Sequence, residues 1–369
     1  MKQVIKYAAL IFALILAASI IGGCLTAGVA VAKRIVEKTE DNGDRNNSNH
    51  NGIWYRDEDG DVVFLGIRFG GSEEVMSGSE EFAASDIDSL ELEGTSGEVI
   101  IETWDGEFIA VLYENISEDY EIYNDGGTLV IEKEGNYFFW EQAFKETPKI
   151  RVRVPEEKTL KKVKVDKGSG SAKITGIVAE DFSLDNGSGG VTITNVISDR
   201  LYVDSGSGGV NISEVEVKKS VFHSGSGSFT VKDSSLGETS MDSGSGFVNL
   251  EHVVAHNLVL DTGSGRVDVS GILTGNCMFE SGSGSLNVVV YGEETEYNFR
   301  TDMGSGSFYL NGRKEDKEKQ NVEYADADHL LVFDAGSGRV SLEFKEVPQS
   351  MAGNLEQDDV TEPKENFER

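Results

Sequence analysis

The residues best placed to do chemistry in this sequence are carboxylates at a fixed spacing. Asp166, Asp185, Asp204, Asp242, Asp261, Glu280, Asp302 and Asp334 each stand two positions before a Gly-Ser-Gly tripeptide, and His223 holds the same place before another. Acids lined up in this way could bridge divalent ions, or each could accept a hydrogen bond from its own turn, as in an Asx-turn. Calcium takes about six to eight oxygen ligands, and the neighbouring positions add none to the column. His223 also interrupts the series without disturbing its spacing. The expected chemistry is turn capping by solvent-facing carboxylates, not metal binding.

The other reactive residue types form no constellation. Asp57, Glu58, Asp59 and Asp61 surround Gly60 in "WYRDEDGDVVF", but without the spacing or distal glutamate of an EF-hand. An Asp-Gly hairpin turn explains them more simply. The two cysteines, Cys24 and Cys277, lie far apart, so they make neither a disulfide framework nor a metal cluster. Cys277 falls at a position held elsewhere by Leu201 and Leu258 and reads as a small buried hydrophobe. The five histidines are scattered. A single Gly-Ser-Gly could cradle a phosphate, but no copy opens a helix. No catalytic, cofactor-binding or metal-binding residue is assigned.

What positions these residues is a repeat. Gly-Ser-Gly begins at Gly168, Gly187, Gly206, Gly225, Gly244, Gly263 and Gly282, always 19 residues apart, and again at Gly304 and Gly336 after 22 and 32. A linker would not hold register, so the period is structural and points to a solenoid. Each tripeptide is followed by an alternating apolar pair, such as Val191 and Ile193, Val210 and Ile212, or Phe229 and Val231. A second pair precedes the next one, such as Leu201 and Val203 or Leu258 and Leu260. Alternation over four or five residues is a strand with one buried face. The coil is strand, turn, strand and Gly-rich corner, where glycines allow positive φ and small residues avoid collision with the next coil. The fold expected is all-β: a β-solenoid of 19-residue coils, with a β cap at its N-terminal end and an N-terminal transmembrane helix.

The ends are less regular. "SLELEGTSGEVIIETW" repeats the logic, with Ser96-Gly97 before Val99 and Ile101, and "YEIYNDGGTLVIEKEG" carries a strong hairpin signal. "NYFFWEQAF" (Asn136–Phe144) concentrates aromatics and is expected to pack over the cap. "NGRKEDKEKQNVEYADADH" reads as a charged insertion lengthening one coil, and "GSGRVSLEF" as the closing coil. The domains expected are 1–35 a membrane anchor, 36–52 a flexible linker, 53–155 the N-terminal β region and cap, 156–345 the solenoid, and 346–369 an acidic disordered tail.

Tyr7 to Ala32 is a run of 26 uncharged residues between Lys2/Lys6 and Lys33/Arg34, longer than the ~20 that span a bilayer core. "IIGGC" loosely resembles a lipobox ending at Cys24, but the apolar run continues beyond it, which favours an uncleaved signal anchor. The acidic bulk behind a short N-terminus places the chain as a single-pass cell-membrane protein, mostly extracellular. With 33 Lys and Arg against 65 Asp and Glu, the formal net charge is −32. That balance excludes nucleic acid as a partner and favours cationic ones.

Three features together resemble the putative-adhesin family of bacterial envelope proteins, a domain of unknown function. They are the strand "IRVRVPEE", the repeated turns "SGGVTIT" and "SGGVNIS", and the N-terminal anchor, and the match runs from Ser85 to Phe344. The resemblance implies a β-solenoid in the envelope and no catalytic residues. The function expected is a non-catalytic, membrane-anchored, surface-exposed binding, adhesion or spacer module, with a cell-surface ligand. One alternative is an envelope-stress component that captures or senses cationic antimicrobial peptides. Another is a carbohydrate-active enzyme on a β-helix, but such enzymes raise paired carboxylates on longer loops, and seven successive coils have hardly any inserted loop. Nothing in the sequence fixes an oligomeric state.

Overall fold

The alternating apolar pairs become pairs of strands that stack coil upon coil. In the computed structural model, residues 75–133, 147–315 and 321–352 are described, together with the backbone of three short strands, Trp54–Arg56, Val62–Phe64 and Ile67–Phe69. The Tyr7–Ala32 run, the linker, Asp57–Asp61 and Asn136–Phe144 lie outside the described residues. Among those described, no helix is long and apolar enough to cross a membrane.

The chain divides into two units, residues 1–72 with 137–146 and residues 73–136 with 147–369. In the first, the three short strands pair antiparallel, Trp54 opposite Phe64 and Val62 opposite Phe69. They form a sheet of their own. Of the expected β region over 53–155, these three strands pair with one another, and the strands from Val75 onward belong to the second unit.

In the second unit the coils are joined by parallel ladders in register, interrupted by shifts beside Lys167, between Ser235 and Ser240, and between Glu251 and Val253. Ser89–Ser96 and Glu98–Trp104 form the first coil, stacked on Thr159–Ser169 and Ala172–Thr175. The next is Val178–Asn186 with Val191–Thr194, then Ile197–Ser205 with Val210–Ser213. Glu216–Ser224, Ser228–Ser243, Phe247–Thr262 and Arg266–Thr274 continue the climb, long strands running through the turn that shorter ones break at. Asn276–Ser281 and Ser285–Tyr291 make the coil above these.

The inward positions form one continuous core. Val191, Ile193, Leu201, Val203, Val210 and Ile212 are all buried, as are their counterparts up the stack, except Thr301 and Leu310 in the outermost coil, which are half-buried. Each fully buried aliphatic or aromatic side chain contributes about 1.5–3 kcal/mol, so the stack has a core as long as itself. Outward residues make ladders instead: Thr194 meets the Ser213 hydroxyl at 3.3 Å, and Lys232 meets Glu251 at 2.7 Å.

At the top the chain order and the stacking order part. The strands His329–Ala335 and Arg339–Lys345 lie directly on Asn276–Ser281 and Ser285–Tyr291. Tyr297–Met303 and Ser307–Leu310, earlier in the chain, form the outermost coil. The expectation that "GSGRVSLEF" closes the stack is corrected. The charged segment does not widen a coil. It carries the chain back down, and on the way Val322 exchanges two backbone hydrogen bonds with Phe299. The outer coil's edge is thereby covered, as an open strand edge requires.

The lower end is closed by antiparallel strands. Lys149–Pro155 pairs parallel with Glu98–Trp104 and antiparallel with Phe108–Ser117, on which Val75–Ala83 also lies antiparallel. Tyr120–Asp125 and Thr128–Lys133 form the expected hairpin, with Gly126 and Gly127 at φ of 57° and 97°. The tail is ordered at its start, contrary to the expectation of disorder from Glu346. Gln349–Ala352 is a short helix whose Met351 is buried against Ile272 and Tyr291, since those exposed apolar side chains gain by being covered.

Candidate binding site

The Gly-Ser-Gly corners stack into the feature on which any site must be built. Only Gly170 and Gly189 among them have positive φ, so the expected conformational reason for the glycines is largely replaced by another. A Cβ on Gly208 would stand 1.8 Å from the Gly189 carbonyl oxygen, and one on Gly227 equally close to that of Gly208. Backbone packs directly on backbone. The Ser188 N–H donates to the Gly168 carbonyl at 3.0 Å and the Ser207 N–H to that of Gly187 at 3.1 Å. The positive φ values sit at the opposite corner, on Asn195, Glu214, Asp233 and His252 at 47–55°.

The acidic column is assembled as its spacing implies. Asp166 lies opposite Asp185, Asp185 opposite Asp204, Asp204 opposite His223, and the series runs on to Glu280, Asp334 and Asp302. Its members are half-buried or exposed. Burial, then the charges of Asp204 and Asp166, push the Asp185 carboxyl above the usual range. None of these carboxylates accepts a hydrogen bond from its own turn among the described residues, which corrects the capping expectation. The first two N–H groups of each corner already donate to the coil below. Asp204 instead accepts from the Tyr202 hydroxyl at 3.3 Å, with His223 at 3.9 Å. Among the described residues no three His, Cys, Asp or Glu side chains could hold a metal ion.

Behind the corner runs a buried polar column that the sequence reading passed over: Lys167, Asn186, Ser205, Ser224, Ser243, Thr262 and Ser281. Its signal was available, because each stands two residues past an inward position. Lys167, at the lower end, is 1 % exposed. Its ammonium donates to the Gly97 carbonyl at 2.9 Å and to that of Ser169, and burial pushes its pKa down to about 8. Cys277 is buried as expected, its thiol pushed up to about 11 by burial.

On the outside of the same corner, near the top, lies a shallow groove of about 610 Å³. Its floor is the corners at Ser264, Ser283, Ser337 and Ser305, and its walls are Arg266, Arg339 and Tyr309. The residue after each tripeptide decides where walls can rise. Lower down it is Gly190, Gly209 and Ser228. In the upper stack the register is Phe247, Arg266, Ser285, Arg339, Ser307. Arg266 is held by Asp268, Nε to carboxylate at 2.9 and 3.1 Å. Arg339 lies over the Tyr309 ring, 3.9 Å from its centroid, and makes no ion pair among the described residues. A cation on an aromatic face in that geometry is held at about 0.5–2 kcal/mol. No sequence signal found these residues, because Arg266 and Arg339 approach only through the reversed coil order.

Solved structures with partial likeness span most of the chain. A putative adhesin from Parabacteroides distasonis is 14% identical with a TM-score of 0.47, covering 74% of this chain and 98% of its own. A putative lipid binding protein from the same organism is 17% identical with a TM-score of 0.45, covering 72% and 96%. A putative adhesin from Bacteroides fragilis is 13% identical with a TM-score of 0.42, covering 74% and 100%. No curated protein matches. The family described as Toastrack DUF4097 matches residues 87–343, well over half of the sequence and the whole run of corner repeats. The chain belongs to the Toastrack DUF4097 family, a domain of unknown function of the kind that its repeated turns and its "IRVRVP" strand resemble.

Proposed function

We propose that this chain is a non-catalytic binding module of the bacterial envelope, anchored by its apolar N-terminal run and displayed outside the membrane. One observation carries the reading. From Thr159 to Tyr291 the coils succeed one another with turns of only a few residues, so this surface is a set of ladders and corners without loops to enclose a reacting group. A surface of that kind suits contact along its length. The name putative adhesin borne by two of the similar structures agrees with it. The anchor is supported by the 26 uncharged residues from Tyr7 to Ala32.

The test is made on cells. Protease added to intact cells is expected to remove the chain from Val36 onward and leave a small membrane stub, and purified full-length protein is expected to co-sediment with envelope fragments. Protection of the β region until lysis would reverse the orientation, and absence of co-sedimentation would remove the binding role.

A second reading, capture of cationic antimicrobial peptides, is favoured by the acidic column. Its carboxylates stand in register one strand apart, and the raised Asp185 pKa reflects both burial and like-charge neighbours. Competition between a cationic peptide and envelope fragments for the protein would favour this reading.

A further inference from the structure

We propose that the groove over the upper corners binds an anionic glycan, an extended hydroxylated chain carrying carboxylate or phosphate groups at intervals. The proposal rests on the binding-module reading and names its ligand class.

Four observations point the same way. The groove crosses several coils along the stack and is open at about 610 Å³, a shape suited to a chain laid along it rather than to an enclosed small molecule. Its floor offers serine hydroxyls, which both donate and accept and so match sugar or polyol hydroxyls. Its walls are arginines, whose planar fork matches carboxylate or phosphate with two parallel hydrogen bonds. Arg266 and Arg339 are separated by Ser285 in the register, hence by two strand spacings of about 4.8 Å each. That interval suits successive charged groups of one polymer.

The two arginines differ in a way that assigns their roles. Arg266 is already neutralised by Asp268, which also accepts from the Asn287 amide at 2.7 Å. Arg339 has an aromatic support and no carboxylate partner among the described residues. In a chain of net charge −32, a cation fixed against a ring without a counter-ion is the group on which an incoming anion would seat. The acidic column stands two residues before each tripeptide and the arginines directly after it.

The experiment uses the full-length chain in detergent micelles at physiological ionic strength. Binding of hexagalacturonate, of a glycerol-phosphate hexamer and of neutral maltohexaose is measured by calorimetry, alongside co-sedimentation with envelope fragments. At least one anionic chain is expected to bind about tenfold or more tightly than the neutral one, and which of them does so identifies carboxylate or phosphate as the seated group. Arg339→Gln is expected to lower that affinity by about tenfold or more with an unchanged melting curve. Arg339→Lys should recover only part, and Lys218→Gln, at an exposed ion pair with Asp199 outside the groove, should change nothing. Equal binding of the neutral chain, no binding of either anion, or full affinity in Arg339→Gln would overturn the proposal. If those results came with intact co-sedimentation, only the ligand class would fall. Loss of co-sedimentation by the unaltered protein would remove the binding role itself.

Discussion

The rings of Phe279 and Phe333 lie stacked, centroids 5.1 Å apart and planes 11° from parallel, although a whole coil of chain separates them in sequence. The coil between them, Tyr297–Leu310, has been displaced to the outside, where Phe308 meets Phe333 from the other side at 6.1 Å. Coil order thus departs from succession along the chain.

This order can be tested by cross-linking. Asn287 lies opposite Ser341 in the parallel ladder, whereas Tyr309 is one coil further out. The Cα separation across neighbouring strands falls within the 4.4–6.8 Å that a disulfide spans. Asn287→Cys with Ser341→Cys is expected to oxidise to a cross-link seen by peptide mapping, and Asn287→Cys with Tyr309→Cys is not. Efficient bridging of the second pair would restore the simple succession.

At the corner, Gly208→Ala would drive a methyl group into the Gly189 carbonyl 1.8 Å away, while Gly190→Ala meets nothing within 4 Å. Overpacking against backbone costs about 1–3 kcal/mol or more. Denaturant melts should show a loss of at least about 2 kcal/mol for the first variant and under about 0.5 kcal/mol for the second. Equal losses would mean that the corners do not stack backbone on backbone.

Inside the stack, Val210 is buried and Thr192 half-buried on the outward face. Val210→Asp should destabilise by several kcal/mol, because an unpaired carboxylate loses its water. Thr192→Asp should cost under about 0.5 kcal/mol. Similar midpoints for the two variants would contradict the assignment of faces.

Lys167 gives the fold a pH dependence whose sign is set by its depressed pKa. The unfolded ammonium titrates near 10.5 and the folded one near 8, so between these values the unfolded chain holds more protons. Stability from this group therefore rises with pH from about 8 to about 10.5, by up to on the order of 3 kcal/mol. Lys167→Met is expected to abolish the rise. A parallel pH profile in the variant would show that the buried ammonium is not its source.

The period, the strands and the buried face were legible in the sequence because one short-range rule, alternation, is repeated at a fixed interval. Val203 and Ile212 could be placed without any structure. The positive φ at Glu214 and His252 could not, since neither residue type advertises it and only the demands of the stacked corner impose it. Lys167 stands at a position whose inward direction is legible, but its role is not: a lysine there looks like a break in the pattern until two backbone carbonyls are found around it. The groove was the least legible part. Arg266 and Ser285 are neighbours by simple succession, but Arg339 joins them only because the last coils have exchanged places, and a repeat that gives every coil the same strands leaves that choice open.

The exchange of the last coils bears on how the protein would come apart under load. In an ordinary solenoid the terminal repeat frays first, giving up a single interface with its neighbour. Here the final strands of the described repeat, His329–Ala335 and Arg339–Lys345, are clamped between two coils. A pull on the C-terminal end must draw out an inner layer and rupture both of its ladders at once. The stack would therefore resist peeling from that end.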